Sequence, residues 1–232
     1  MAPYNKTKVD DIICVFDCEA MPKQDYDQTY FKQRLFQFES GNRYKYSLLE
    51  NPEEKDNYVK ATSLILSQLV GVCGKIYRPD AREKAMSFKI VDKENEKKVV
   101  STFINEIVDK YKDYNVLFVT YNGLNYDAPL IMRKAVQHGV PLQNKSFTNL
   151  AKFRRAPHYD VCAIISNWGG EIVDFETICR EFGIENPKDG PTNASNIAES
   201  SNEEIGIYCM KDVEATDEMF QKMKDVYHIQ QF

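Results

Sequence analysis

Four acidic residues stand in three separate segments of the chain, and each segment suits a metal site. Asp17 and Glu19 lie in ICVFDCEA, Asp127 lies in TYNGLNYDAPLI, and Asp212 lies in YCMKDVEATDEMF. Carboxylates near an apolar strand are costly to remove from water unless a positive charge compensates them. If all four converge, divalent cations between them would relieve their repulsion, and hard oxygen ligands suit Mg²⁺ or Mn²⁺.

The spacing of Asp17 and Glu19 places both carboxylates on one side of a strand. Residues 11–16, DIICVF, form a short apolar run that predicts a buried strand. Side chains two residues apart on a strand point to the same face, so both acids could hold one cation. The carboxyl ends of strands are where open α/β sheets tend to place ligands. The alternative is a strand that ends in ordinary surface acids.

The other two segments each have a simple structural explanation when taken alone. Asp127 begins a predicted helix, where the helix dipole favours an acid. Tyr208 and Asp212 are four residues apart in a predicted helix and share a face. They could belong to a solvated helix with the tyrosine packed on the protein body. A phenol one turn from a metal carboxylate could instead orient a water molecule.

The remaining pattern predicts a mixed α/β fold in which these segments can meet. Apolar runs at 67–78, 86–92 and 115–121 predict strands, the first two joined by a turn near Arg78–Lys84. Helical spacing or helix-ending residues predict helices at 99–112, 125–138, 174–183 and 202–226. Residues 185–195, ENPKDGPTNAS, predict a turn-rich loop. We interpret 1–232 as a single domain.

Residues 21–57 differ in character from the rest. The stretch is polar and rich in tyrosine and charge, which predicts a surface insertion with some strand near Tyr30–Phe38. Residues 140–160 read as a loop that carries the basic cluster KFRRAPH.

Composition bounds the class of protein. The 232 residues carry a net charge of −5, which does not by itself predict a nucleic-acid coat protein. The six cysteines form no Cys-x-x-Cys pair, which argues against structural zinc and favours a reducing compartment. The first residues do not resemble a signal peptide, and no apolar run reaches about 18 residues. We therefore expect a cytoplasmic protein (host cytoplasm if viral) with no membrane partner.

Together the three segments resemble the DEDD superfamily of 3′–5′ exonucleases, which have a ribonuclease H-like fold. The first motif of that superfamily matches Asp17-Cys18-Glu19, the second matches Asn122 to Asp127, and the third matches Tyr208 to Asp212. The histidine branch would need His at Ile207, so the match is to the tyrosine branch. The region between the second and third motifs is similar to stand-alone relatives of the proofreading domain of family B DNA polymerases.

The resemblance implies hydrolysis from a 3′ end that releases nucleoside monophosphates, with two Mg²⁺ or Mn²⁺ ions as cofactors. It implies that Asp17 bridges both ions and that Glu19 and Asp212 bind the ion carrying the attacking water. It implies that Asp127 acts on the other ion and that Tyr208 helps to position the water.

Substrate contacts are less well defined by the sequence. Asn122 and Tyr126 flank a predicted ligand, and Ala20 and Met21 follow the first motif, where the family's backbone meets the terminal sugar. A basic segment offers stacking surface and phosphate-binding charge, although it could equally be a solvated loop; it contains Phe153, Arg154 and Arg155. Lys188 and Asp189, before the third motif, are further candidates.

Several readings remain open at this stage. The leading hypothesis is an exonuclease acting on single-stranded DNA, with an RNA-trimming enzyme of the same chemistry as the alternative. A non-catalytic nucleic-acid-binding module with the same fold is a third. A fourth is an accessory subunit that delivers proofreading to a separate polymerase or repair protein, with 21–57 as its docking surface or as a substrate clamp.

Overall fold

A five-stranded mixed sheet forms the centre of the protein. The computed structural model describes residues 11–41, 47, 49–169, 173–188, 196–224 and 226. The strand order is β3-β2-β1-β4-β5, with the first three strands antiparallel and β1, β4 and β5 parallel. The strands are β1 (Asp11–Pro22), β2 (Ser67–Tyr77), β3 (Met86–Val91), β4 (Asn115–Thr120) and β5 (His158–Asp160).

Helices cover both faces of this sheet. The α-helices of the described part are α1 (Gln28–Ser40), α2 (Pro52–Ala61), α3 (Glu96–Phe103), α4 (Asp127–His138), α5 (Lys145–Thr148), α6 (Val161–Ile165), α7 (Phe175–Glu181) and α8 (Asn202–Lys224). On one face, α3 and α4 pack against Phe16 and Phe118. On the other face, α6, α7 and α8 pack against Val15 and Val119. The predicted mixed α/β class is confirmed.

The parallel arrangement of three strands positions two of the three acidic segments. Val15 of β1 pairs with Val119 of β4, and Thr120 of β4 pairs with Asp160 of β5. The carboxyl ends of parallel strands lie at one edge of a sheet. The first motif, the loop after β4 and the end of β5 therefore meet at that edge.

Most predicted elements are present with shifted bounds. The β2–β3 meander, the helix that begins near Asp127 and the long terminal helix are confirmed. Gly139 ends α4 in the left-handed conformation, with φ 64°. The helix predicted at 99–112 begins earlier, at Glu96, because Asn95 accepts a hydrogen bond from the Lys98 backbone. It then continues as a π-helical turn over Ile104–Val108.

The strand predicted near Tyr30–Phe38 was wrong, because this segment is the helix α1. The Asp27 carboxylate caps it by accepting a hydrogen bond of 2.8 Å from the Tyr30 backbone N–H. Phe31, Leu35 and Phe38 follow helical spacing and pack in a separate small core that also contains Val59 of α2. The 21–57 stretch is therefore largely helical where it is described.

Two further predictions concern loops. Residues 140–160 are not entirely a loop, since they contain α5 and the three-residue strand β5. Of the turn-rich segment 185–195, residues 189–195 lie outside the described residues. All six cysteines are buried and free. Among the described helices, none combines the length and apolar character needed to cross a membrane.

Candidate active site

Asp17 and Glu19 lie side by side on β1 and point away from the aromatic core. Phe16 and Cys18, their alternating neighbours, are buried in the core beneath α3 and α4. Asp17 and Glu19 therefore face α8, as the spacing predicts. A carboxylate oxygen of each residue and the Cys209 sulfur of α8 lie within 4.8 Å of one another. In the described part of the chain, this group of three is the one compact set of possible metal-ligand atoms, and Asp127 and Asp212 do not complete it.

Helix α8 carries Tyr208 and Asp212 against the same edge of the sheet. Both side chains are buried, at 6% exposure each. The Tyr208 ring packs with Val70 and Ile205. The Cys209 thiol lies 3.4 Å from the Asp17 backbone oxygen, which fixes this part of α8 next to β1. The tyrosine and the two β1 acids thus face one space.

Asp127 is held by a loop whose shape depends on Asp160. The buried Asp160 carboxylate accepts hydrogen bonds from the Asn122 and Leu124 backbones, at 2.9 and 3.0 Å. A Cβ at Gly123 would lie 2.2 Å from the Thr120 hydroxyl oxygen, so the tight turn after β4 requires glycine there. The turn delivers Asp127 to the start of α4, where its side chain is buried.

The four carboxylates share an environment that disfavours negative charge. Burial, and then the neighbouring Asp212 carboxylate, raise the pKa of Asp17 to about 7. Burial and the Asp17 carboxylate hold the pKa of both Glu19 and Asp127 well above the ordinary range. Burial also raises the pKa of Asp212, against the opposing effect of Lys188. Such a cluster is an unfavourable place for anions unless cations accompany them.

Lys188 supplies one such cation from the segment after α7. Its ammonium donates a hydrogen bond of 2.6 Å to the Tyr208 hydroxyl and also contacts Asp212 Oδ2. The same nitrogen lies 4.3 Å from the centroid of the Tyr208 ring. Burial would lower the pKa of Lys188, but the Asp212 carboxylate and Tyr208 outweigh it and raise that pKa. Lys188 is therefore charged at neutral pH and joins the two motif residues of α8.

One lysine does not satisfy all the oxygen atoms of the site. Among the described residues, Glu19 Oε1 and Asp212 Oδ1 are buried and have no hydrogen-bond partner. Buried charged oxygens without partners are strongly unfavourable. Two such atoms beside Asp17 fit the ligand chemistry of Mg²⁺ or Mn²⁺, which prefer carboxylate oxygens.

The predicted substrate-contact residues divide into an inner and an outer group. Ala20 is buried, Met21 packs beside Tyr208, and the Tyr126 hydroxyl donates to the Ala61 backbone oxygen at the end of α2. The outer residues are exposed to solvent and comprise Asn122, Phe153, Arg154 and Arg155. Asp189 lies outside the described residues.

The sequence assigned no role to Asp160 or Cys209, and it indicated Lys188 only as a candidate substrate contact. Asp160 is the last residue of the short strand β5, and the sequence signal that could have found it is an Asp directly before a helical segment. Cys209 lies within the third motif but reads as an ordinary apolar position. The functions of these side chains depend on contacts with distant segments.

The chain matches one described protein family over most of its length. Residues 62–228, more than half of the chain, match the family described as a predicted 3′–5′ exonuclease related to the exonuclease domain of PolB. That match contains the second and third motifs and begins after Asp17 and Glu19. A search of curated proteins finds no significant match.

A solved structure gives a second comparison. The family B DNA polymerase of the hyperthermophilic archaeon Pyrobaculum calidifontis is similar in fold, with a TM-score of 0.54 and 15% sequence identity. The similarity covers 91% of this chain and 24% of the polymerase, so the chain spans about a quarter of that protein's length. The ribonuclease H-like fold is thereby confirmed. The chain belongs to the family of predicted 3′–5′ exonucleases related to the PolB exonuclease domain.

Proposed function

We propose that the protein is a metal-dependent exonuclease of the tyrosine branch that removes nucleoside monophosphates from the 3′ end of single-stranded DNA. The observation that carries this proposal is that Asp17 and Glu19 of the first motif lie near Asp212 of the third, where two buried carboxylate oxygens lack partners among the described residues. Asp127 of the second motif is close enough to Asp17 for the two carboxylates to repel each other. Glu19 Oε1 and Asp212 Oδ1 are buried there beside Asp17, and the Tyr208 hydroxyl is next to Asp212 through Lys188.

The residues that would hold the divalent ions are Asp17, Glu19, Asp127 and Asp212. Bound Mg²⁺ or Mn²⁺ would lower the pKa of a coordinated water and stabilise charge on the phosphate oxygens. The role of the chain is to hold these carboxylates together against their repulsion. The sheet edge, the loop fixed by Asp160 and the face of α8 supply that positioning.

Tyr208 is suited to donate a hydrogen bond within the site. Its hydroxyl oxygen already accepts a hydrogen bond from Lys188, so its own O–H group can donate to a water or a phosphate oxygen. Burial and the Glu19 carboxylate raise the pKa of Tyr208, which keeps the phenol neutral. We assign Tyr208 to orientation of the attacking water.

The choice of polymer is tested with four substrates. DNA and RNA single strands of one sequence, each labelled at either the 5′ or the 3′ end, are incubated with Mg²⁺, Mn²⁺ or EDTA. We expect a metal-dependent ladder from 5′-labelled DNA and early release of labelled mononucleotide from 3′-labelled DNA. Faster shortening of RNA would replace DNA by RNA in the proposal. Absence of metal-dependent shortening of both polymers would overturn it.

A Tyr208→Phe variant separates the role of the phenol from that of the carboxylates. Loss of the hydroxyl leaves the metal ligands in place, so we expect a partial loss of the maximal rate and unchanged affinity for the metal ion. An unchanged cleavage rate would reject the assignment of Tyr208.

A further inference from the structure

A pocket lies beside the candidate active site, and a pair of aromatic side chains lines it. Its volume is about 280 Å³. Phe153 and Trp168 contribute rings whose centroids are 5.3 Å apart and whose planes are inclined by 47°. The pocket is slightly smaller than the roughly 300–1,000 Å³ typical of small-ligand sites, which suits one ring system rather than an extended chain.

The aromatic pair, in which Phe153 is exposed and Trp168 is partly buried, is held at a conformational cost. Phe153 is 75% exposed. Phe153 and Trp168 both have positive φ angles, 63° and 59°, in a region that bulky residues rarely adopt. The structure therefore keeps an unfavourable backbone at both positions while leaving a large apolar ring in water. Neither feature serves the cores beneath the sheet, which these two residues do not join.

The pocket adjoins the loop that carries Asp127. Asn122, Leu124 and Asn125 line it, and all three belong to the turn after β4. Asn125 precedes Asp127 by two residues, so their Cα atoms are at most about 7 Å apart. A group held in the pocket therefore lies beside the turn that leads to Asp127.

The polar groups of the pocket fit a nucleobase attached to a phosphate. Asn125 Nδ2 donates to Asn122 Oδ1 at 2.9 Å, which leaves an amide donor on Asn122 and a carbonyl acceptor on Asn125 for a base edge. Lys152 lines the same pocket, and Arg154 follows Phe153 on the exposed surface. Cationic side chains beside exposed aromatic rings are the combination that holds single strands.

We infer that this pocket binds one unpaired nucleobase of the single strand whose 3′ end is being cut, stacked against Phe153 and Trp168. This inference rests on the proposed function, because it assigns part of the substrate to the same site. Stacking is tolerant of sequence, since each base has a π face. The pocket would therefore hold the strand without selecting a particular base.

The single tryptophan of the chain, Trp168, allows a direct test. Its fluorescence is followed while a thymidine oligonucleotide is added in EDTA, so that binding is observed without cleavage. The matched ligand is an abasic oligonucleotide of equal length, which keeps the phosphates and lacks the bases. We expect the oligonucleotide with bases to quench Trp168 and the abasic one to leave its fluorescence largely unchanged. Equal quenching by both would overturn the proposal.

Two variants complete the test. Phe153→Ala is expected to weaken binding of the thymidine oligonucleotide by about 5- to 150-fold, as loss of one stacking partner implies. Tyr114→Ala is the control, since Tyr114 is an exposed residue that pairs with Tyr111 at the opposite end of β4. Binding by Phe153→Ala that equals binding by Tyr114→Ala would contradict the inference.

The proposed function and this inference can fail separately. Quenching that requires bases, in a protein that cuts no polymer, would keep the pocket and reject the nuclease assignment. Metal-dependent shortening with the same KM in Phe153→Ala and the unaltered chain would keep the nuclease and reject the pocket. If both hold, Phe153→Ala raises KM for the single strand.

Discussion

Lys188 is the residue that most changes the view of the site obtained from the motifs alone. Its ammonium contacts Asp212 and Tyr208, which places a positive charge beside the carboxylates of the site. A buried acid with a cationic partner is far more stable than one without. Lys188 thus offsets part of the repulsion before any metal ion binds.

Replacement of Lys188 by methionine should destabilise the metal-free protein at neutral pH. Asp212 would lose its cationic partner, so we expect the free energy of unfolding to fall by about 1–3 kcal/mol. This is less than the full cost of breaking a buried ion pair, because the lysine side chain is 26% exposed. Urea denaturation in EDTA measures this loss, and added Mn²⁺ should reduce it. Lys222→Met, at an exposed position of α8, is the control; an equal loss there would contradict the explanation.

Asp160 should affect activity through the loop that carries Asp127. An Asp160→Asn side chain can accept at one oxygen only, so either the Asn122 or the Leu124 backbone N–H loses its partner. We expect about 1–3 kcal/mol of lost stability. Displacement of Asp127 should lower kcat/KM by about 10- to 100-fold.

Asp174→Ala separates the two effects in this experiment. Asp174 caps α7 by accepting from the Thr177 backbone at 3.0 Å, so its loss should also cost stability. It does not hold the Asp127 loop. Exonuclease activity reduced to the same degree in both variants would show that Asp160 acts only through general stability.

At the residue scale, the sequence predicted those site residues whose partners are encoded by short spacing. Asp17 and Glu19 were predicted from strand alternation, and Tyr208 and Asp212 from helical spacing. Lys188 contacts two residues that are 20 and 24 positions away along the chain. Asp160 binds two backbone groups that are 36 and 38 positions away. No local pattern specifies such contacts, so their roles could not be derived before the fold was known.

Secondary-structure elements were predictable where their apolar pattern is long. The strand β2 has eleven residues and the helix α8 has 23, and both were predicted. The strand β5 has three residues and gives too short a pattern. In α1, aromatic residues favour a strand locally, but capping by Asp27 and packing of Phe31 and Phe38 determine a helix.

His158 in the strand β5 makes the stability of the protein depend on pH. His158 is 2% exposed, its Nε2 lies 2.8 Å from the Phe147 carbonyl oxygen, and burial lowers its pKa to about 4. The unfolded chain takes up this proton near pH 6.5. Since the unfolded state then binds more protons, the stability from neutral His158 is present above pH 6.5 and is lost as the pH falls towards 4.

This dependence is measured by comparing the chain with a His158→Gln variant. Glutamine can still donate a hydrogen bond to the Phe147 carbonyl oxygen but does not titrate. The contributions of all other titrating groups therefore cancel when the stabilities of the two proteins are subtracted. Between pH 6.5 and 4 we expect the unaltered protein to lose about 1–3 kcal/mol more than the variant. Parallel stability curves from urea denaturation would show that His158 does not titrate as described.

At the scale of the whole molecule, topology turns three ordinary segments into one site. The parallel strands β1, β4 and β5 end at one edge, and α8 crosses back over β1 with Cys209 beside Asp17. Fold class and motif order were predictable because the strand and helix patterns alternate along the chain. The aromatic pocket was not, since Trp168 and Phe153 meet only after the chain has folded.

The most direct test of this account is the rate at which an Asp17→Ala variant shortens 5′-labelled single-stranded DNA in Mg²⁺. Asp17 lies at the centre of the carboxylate cluster, whereas the Asp80 side chain is 83% exposed, which makes Asp80→Ala the matched control. We predict stepwise shortening from the 3′ end by the unaltered chain and by Asp80→Ala. We predict a rate at least about 100-fold lower for Asp17→Ala. This loss is larger than that expected from removing a residue that only supports the metal ligands. Equal rates for Asp17→Ala and Asp80→Ala would contradict the assignment of the active site.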